Sequence, residues 1–179
     1  MTNNYDAILI GAGPAGSSAA TILAEKGHNV LLIEREKFPR YHVGESLLPF
    51  TFEPLKRLGL IDDMRSSSFT KKYSVQFIST SGEASQPFYF NSRYEDDVAQ
   101  TWQVLRSEFD HMLLNKARSK GANVLEETQV LDLLRDGERV TGVRVRTSDG
   151  NEVEYSAPIT LDCTGKESFS SSRNRWRMR

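Results

Sequence analysis

Three glycines, Gly11, Gly13 and Gly16, stand in GxGxxG spacing within the segment GAGPAG. That spacing suits a diphosphate: the first glycine makes a tight turn, the second admits phosphate to the backbone, and the third lets a helix pack close to a strand. Pro14 fits the first helical position, where its missing N–H has no intrahelical partner to lose. With Ala15 it opens a helix whose unpaired amides and dipole favour an anion. Glu34 follows about 20 residues on, where a carboxylate can accept both ribose hydroxyls of an adenosine half. The motif itself is satisfied by FAD or by NAD. Arg40 and Arg106 carry planar donor forks suited to phosphate, and they fit surface ion pairs with neighbouring glutamates as well. Lys71 and Lys72 point to opposite faces of a strand; each is a compact three-donor cation if turned inward and a solvated charge if not. His42 has the chemistry of an acid or base, yet with no partner in the sequence it reads as a hydrogen-bonded loop residue. His28, His42 and His111 lie in a turn, a loop and a helix without ligand spacing, so no metal is expected.

The elements that must position these residues are legible in the apolar pattern. Residues 5–10 form a compact apolar run expected of a buried parallel strand. Helix formers from Pro14 to Ala24 follow and Gly27 stops them, and residues 29–34 return to strand, giving β-α-β. A helix from Pro49 would carry Phe52, Leu55 and Leu58, disturbed in its middle by Pro54 and closed by Gly59. From Phe69 the period changes: Tyr73, Val75 and Phe77 alternate with polar residues, and PFYF follows a Ser-Gly-rich interval, suggesting antiparallel strands. TWQV reads as a short strand. Ser107 and Asp110 make a capping box ahead of a helical stripe of Phe109, Met112, Leu113 and Ala117, which ends at Gly121. ANVLEE is a parallel strand, and 129–134, 139–146 and 153–156 form a meander around Asp136-Gly137 and Asp149-Gly150. The segment APITLDCTG closes the pattern as a buried strand running into a small-residue turn. Phe88, Tyr89, Phe90 and Trp102 fit a sheet core better than a substrate surface. The expected fold class is α/β, a Rossmann-like FAD/NAD(P)-binding fold with an added antiparallel β segment.

Composition narrows the function classes. The chain has 179 residues, 23 Lys plus Arg against 24 Asp plus Glu, and a formal net charge of −1, so neither nucleic acid nor membrane is an expected partner. Arg173, Arg175, Arg177 and Arg179 cluster at the end, but a patch that short reads as a frayed terminus rather than a nucleic-acid arm. A single cysteine, Cys163, leaves no disulfide framework, and no leader pattern or long apolar stretch is present. A cytoplasmic location is the default expectation.

From Tyr5 to about Ser168 the chain resembles the FAD-dependent halogenases, and most closely those acting on phenolic or pyrrolic substrates. More broadly it is similar to the para-hydroxybenzoate hydroxylase and geranylgeranyl reductase superfamily. The carrying blocks are GAGPAGSSAA (11–20), FPRYHVGESLLP (38–49), FTKKYSVQF (69–77), TWQVLRSEFDHMLLNKA (101–117) and LDCTG (161–165). The resemblance implies FAD as cofactor, bound by Gly11, Gly13, Pro14, Ala15, Gly16, Glu34, Arg35, Arg40, Gly44, Glu45, Ser46, Arg106, Asp162 and Gly165. Arg40 and the loop Gly44–Ser46 would lie over the flavin side, although Glu45 equally suits capping of the helix that follows. Lys72 matches the family's essential lysine, which receives or orients the oxidised halogen, and a shift of one residue would select Lys71 instead. Cys163 is implied to pack near the cofactor.

The resemblance further implies an aromatic substrate, a halide and a separate flavin reductase. It makes 1–168 a partial FAD-binding domain, with 69–100 the start of an inserted substrate-side β segment and 169–179 an arginine-rich irregular tail. A Trp-x-Trp-x-Ile-Pro segment and a later Gly-Asp turn have no counterpart here, so the chain is expected to be the C-terminally incomplete N-terminal part of a larger enzyme and a poor halogenase alone. The competing readings are an FAD monooxygenase, a prenyl-chain reductase, or a non-catalytic dinucleotide-binding module.

Overall fold

The computed structural model describes residues 3–93 and 96–173, so Trp176 and the last arginines of the tail lie outside the described residues. In chain order the elements are β1 (Ala7–Ile10), α1 (Pro14–Glu25), β2 (Val30–Ile33), α2 (Phe52–Arg57), α3 (Ile61–Ser66), β3 (Thr70–Lys72), β4 (Ser74–Val75), β5 (Phe88–Tyr89), β6 (Thr101–Gln103), α4 (Arg106–Ser119), β7 (Asn123–Leu125), β8 (Gln129–Asp136), β9 (Arg139–Arg146), β10 (Glu152–Ser156), β11 (Ile159–Asp162) and α5 (Phe169–Arg173). They form two compact units: residues up to Tyr41 together with those from Ser107 onward, and His42–Arg106.

The first unit is built on a parallel sheet in the order β11-β1-β2-β7. β1 and β2 are buried along their whole length, as unbroken apolar strands must be when both faces are covered. On one face Leu9 and Leu32 pack with Ala20 and Ala24 of α1 and Leu114 and Ala117 of α4. On the other, Ile8, Ile10, Leu31 and Ile33 meet Val130, Val143, Val145 and Tyr155 of the antiparallel sheet β10-β9-β8. Each of the Leu, Ile and Val side chains contributes about 1.5–3 kcal/mol when fully buried. In the parallel register Ile10 stands opposite both Ile33 and Asp162. The carboxyl ends of β1, β2 and β11 therefore share one level, at the point where the strand order reverses. Open α/β sheets bind ligands there.

The second unit carries two short antiparallel pairs, β3 with β6 and β4 with β5. Along the free edge of β6 runs the segment at 45–47: Ser46 bridges Gln103, the Leu47 N–H donates to the Trp102 carbonyl at 3.0 Å, and the Val104 N–H donates to the Glu45 carbonyl at 2.8 Å. Trp102 and Phe90 are core residues, whereas Phe88 and Tyr89 are 38% and 54% exposed, so the expectation of a sheet core holds for only part of that aromatic set.

Three local expectations need correction. Pro54 does not disturb a helix middle, because α2 begins at Phe52 after a separate 3-10 turn at Pro49–Thr51; Pro54 falls in the first turn, where its missing N–H is harmless. Helix α3 has no sequence counterpart: of its residues only Met64 is buried, too little for a periodic signal. The irregular tail does not start at 169. Phe169–Arg173 is helical, because Asp162 accepts from the Ser170 N–H at 2.7 Å and Thr164 Oγ1 accepts from the Phe169 N–H at 3.0 Å.

Candidate cofactor site

The glycine turn sits where β1 ends. Gly11 has φ +96°, and a Cβ there would lie 2.8 Å from the Cys163 carbonyl oxygen; at Gly16 it would lie 1.9 Å from the Gly11 carbonyl oxygen. Both positions exclude a side chain through the protein's own backbone. Gly13 differs. Its φ of −66° is open to any residue, and a Cβ would meet only Arg40 Nη2, at 3.8 Å. The space beside Gly13 is thus left clear by the protein. Behind it α1 starts with Pro14 at its first position, no side chain capping its N-terminus and no acid in its first turn. Ser17, fully buried, donates to the Ala12 carbonyl at 2.8 Å and braces the turn. Free amides, a positive helix end and an open backbone approach fit a dinucleotide pyrophosphate.

Glu34 buries its carboxylate under this turn. Oε2 accepts from the Ala12 N–H at 2.8 Å and Oε1 from the Glu36 N–H at 3.1 Å. Each oxygen retains acceptor capacity, which suits a ribose hydroxyl. Arg40 lies beside it, with Nε 3.9 Å from Glu34 Oε1 and Nη1 donating to Asp110 Oδ2 at 3.2 Å. Its guanidinium covers the Phe38 ring at 4.6 Å. Only 11% of the Arg40 side chain is exposed and none of Asp110's, so the surface ion-pair alternative fails for Arg40. The guanidinium stands at the glycine turn, in the first unit, and the loop Gly44–Ser46 belongs to the second. Burial of the charge requires a counter-ion, and Asp110 supplies it.

Glu126, just past β7, accepts from the Phe38 N–H at 2.6 Å and from the Arg118 guanidinium. Burial opposes its ionisation, but these donors outweigh burial and hold its carboxyl below the ordinary range. Asp162 shows the same balance: burial is outweighed by donors from Ser170 and Thr164, which close the turn after β11. Arg35 pairs with Glu167 at 2.6 Å and Glu36 at 3.5 Å; burial works against its charge, yet the two glutamates raise its pKa. Arg35 thereby ties the end of β2 to the turn Gly165–Glu167. Gly165 opens that turn with φ +63°.

Acid should loosen this scaffold. A carboxylate whose pKa is lower folded than unfolded stabilises the fold above its unfolded value, and that stabilisation is lost as pH falls through the folded value. Melting temperature is therefore expected to fall below about pH 4, where Asp and Glu ordinarily titrate. Glu126→Gln should flatten that acid limb in pH-dependent thermal melts. An unchanged limb would remove Glu126 from the scaffold.

The unit His42–Arg106 carries the candidates His42, Gly44, Glu45, Ser46, Lys72 and Arg106. Arg106, buried, donates from Nη1 to the Val43 carbonyl at 2.9 Å, and a Cβ on Gly44 would come within 3.1 Å of that nitrogen. It packs beneath the loop, away from the surface. Lys72 Nζ donates to Ser46 Oγ, while Lys71 is exposed on the other side of the strand. Glu45 accepts from Gln103 Nε2 at 3.5 Å and does not cap the following turn, whose N-cap is Leu48. His42 is exposed. Cys163 is partly buried; burial, then Asp162, push its thiol pKa up, so it is no activated nucleophile.

Sequence reasoning missed Asp110 and Glu126 as members of the site. Asp110 shares a helix face with Leu113, Leu114 and Ala117, and an acid on an apolar stripe was the available signal. Among the described residues no cluster of three His, Cys, Asp or Glu side chains could hold a metal, and no helix is long and apolar enough to cross a membrane.

Comparison with known proteins agrees with this geometry. The family model of the FAD binding domain matches residues 4–178. The 1H-pyrrole-2-carbonyl-[peptidyl-carrier protein] brominase of Pseudoalteromonas luteoviolacea is 34% identical over 95% of the chain and 40% of its own length. The corresponding chlorinase of Pseudomonas fluorescens is 32% identical over 92% of the chain and 40% of its length. The solved structure of the myxobacterial chondrochloren halogenase superposes with a TM-score of 0.84 at 41% identity, covering 89% of this chain and 37% of that one. The chain thus spans about two fifths of the length of the curated relatives it matches.

Proposed function

Because this chain belongs to the FAD-binding domain family, we propose that it is the cofactor-anchoring part of a flavin-dependent halogenase. The observation that carries the halogenase reading is identity of 32–41% along nearly the whole chain to enzymes that bear that name. The bound flavin, reduced by a separate flavin reductase, supplies with dioxygen the oxidising power that converts halide to an electrophilic halogen. The residues of this chain bind and orient. The backbone N–H groups of Gly13, Ala15 and Gly16 and the Arg40 fork receive the pyrophosphate, and Glu34 receives the adenosine ribose. In the other unit Arg106 fixes the Val43–Gly44 loop. Lys72, held against Ser46, presents a cation that orients the electrophilic halogen. The pyrrole substrates in the names of the brominase and the chlorinase support an electron-rich aromatic acceptor.

The reading predicts that the purified chain, titrated with FAD, quenches flavin fluorescence to a saturable end point and retains a visible flavin spectrum after gel filtration. The longer protein, given a flavin reductase, should consume aromatic substrate only when chloride or bromide is present. Aromatic hydroxylation without halide would move the assignment to a monooxygenase. Absence of FAD binding would leave a non-catalytic module.

A further inference from the structure

Arg40 is held on three sides, by its sequence neighbours Phe38 and Glu34 and by Asp110 from 70 positions along the chain. The Phe38 ring centroid lies 4.6 Å from the guanidinium carbon, Asp110 takes Nη1 at 3.2 Å, and Glu34 stands 3.9 Å from Nε. Phe38 is itself fixed through its backbone N–H by Glu126 at 2.6 Å. Nη2 faces the open side of Gly13, at 3.8 Å from the place a Cβ would take.

We propose that Asp110 is the positioning residue of the cofactor site: it holds one tine of the Arg40 fork so that the other is aimed at the pyrophosphate above Gly13. The inference rests on the FAD-anchoring function just given. A guanidinium is planar and its donors have fixed relative directions. Fixing Nη1 on a fully buried carboxylate, with an aromatic face below, therefore fixes Nη2 too. A buried arginine between two buried acids has little spare charge to offer at long range. Its worth to an anionic ligand lies in direction: a donor already in place spares the ligand the entropy of ordering a long side chain. Asp110 comes from α4, which the glycine motif does not include, so Asp110 helps set cofactor affinity without touching the cofactor.

The test is a double-mutant cycle on the 179-residue chain, reading FAD affinity by fluorescence titration and backbone order by hydrogen exchange. Asp110→Asn is expected to weaken FAD binding about tenfold, the scale of one charge-assisted hydrogen bond. In an Arg40→Met background the same change should cost almost nothing, since the residue it positions is gone. Arg40→Lys, which keeps the charge but lacks the fork, should lose nearly as much affinity as Arg40→Met. In the absence of FAD, Asp110→Asn should speed exchange in 38–41 more than elsewhere. Equal losses in both backgrounds would mark a general structural role and overturn the proposal, as would unchanged or tighter binding in Asp110→Asn. If the parent chain binds no FAD, the FAD-anchoring reading fails, and the exchange experiment still decides whether Asp110 orders Arg40. Should Asp110→Asn fail to fold, full FAD affinity in Arg40→Lys would overturn the proposal.

Discussion

Replacing Gly13 by Val should leave the chain folded and remove its FAD binding. The backbone at Gly13 has φ −66° and ψ −174°, a region that β-branched residues occupy readily. The nearest atom to an added Cβ is the end of a flexible arginine at 3.8 Å, an ordinary contact. Nothing in the protein resists the substitution. The isopropyl group would instead fill the space through which phosphate oxygens approach the amides of α1. Losing two hydrogen bonds to a charged ligand, each worth about 1.5–3 kcal/mol, weakens binding by about a hundredfold or more. Thermal melts should be close to those of the parent while flavin titration shows no saturation. Gly16→Ala is the contrasting control: its Cβ would stand 1.9 Å from the Gly11 carbonyl oxygen, so this variant should lose the fold itself. A Gly13→Val chain that binds FAD as tightly as the parent would displace the cofactor from this turn.

Lys72→Met is expected to separate cofactor binding from halogen transfer in the longer protein. Lys72 contacts Ser46 and the proposed function gives it no part in holding the nucleotide, so flavin affinity should stay within about twofold of the parent value. Removal of a positioned charge at a reacting centre costs on the order of 10²–10³ in rate, and halogenated product should fall by that factor. Oxygen consumption by reduced flavin should continue, now uncoupled from product. Lys71→Met is the matched control, since Lys71 is exposed across the strand and its loss should change neither readout. The measurement is halide-dependent product formation by chromatography beside oxygen uptake. Equal damage from Lys71→Met would move the functional cation one residue back.

Much of the fold was readable from sequence because its signals are local. The run AILI, the glycine turn, Pro14 and the run VLLI each carry their structure within a few residues, and β1, α1 and β2 follow them closely. The meander β8–β10 was equally plain from its two Asp-Gly turns. What was not readable depends on partners far along the chain. Asp110 has the spacing of a capping residue, yet its carboxylate meets Arg40 from 70 positions away. The difference between Lys71 and Lys72 cannot be read from alternation, which says that they face opposite ways but not which of them will meet Ser46. Phe90 and Phe88 are on one face by period, yet only Phe90 is buried, because β5 ends at Tyr89 and Phe90 opens a 3-10 turn to which the strand alternation no longer applies.

The Arg40–Asp110 pair has an implication for how such a protein can change. Chain leaves the first unit after Tyr41 and re-enters at Ser107, and the pair clasps the exit to the re-entry. Loop-closure cost grows only with the logarithm of length, so a clasp at the neck makes the size of what hangs beyond it nearly irrelevant to the parent sheet. The excursion is in effect a cassette: its length can change with little cost to the sheet that the Arg40–Asp110 pair keeps closed.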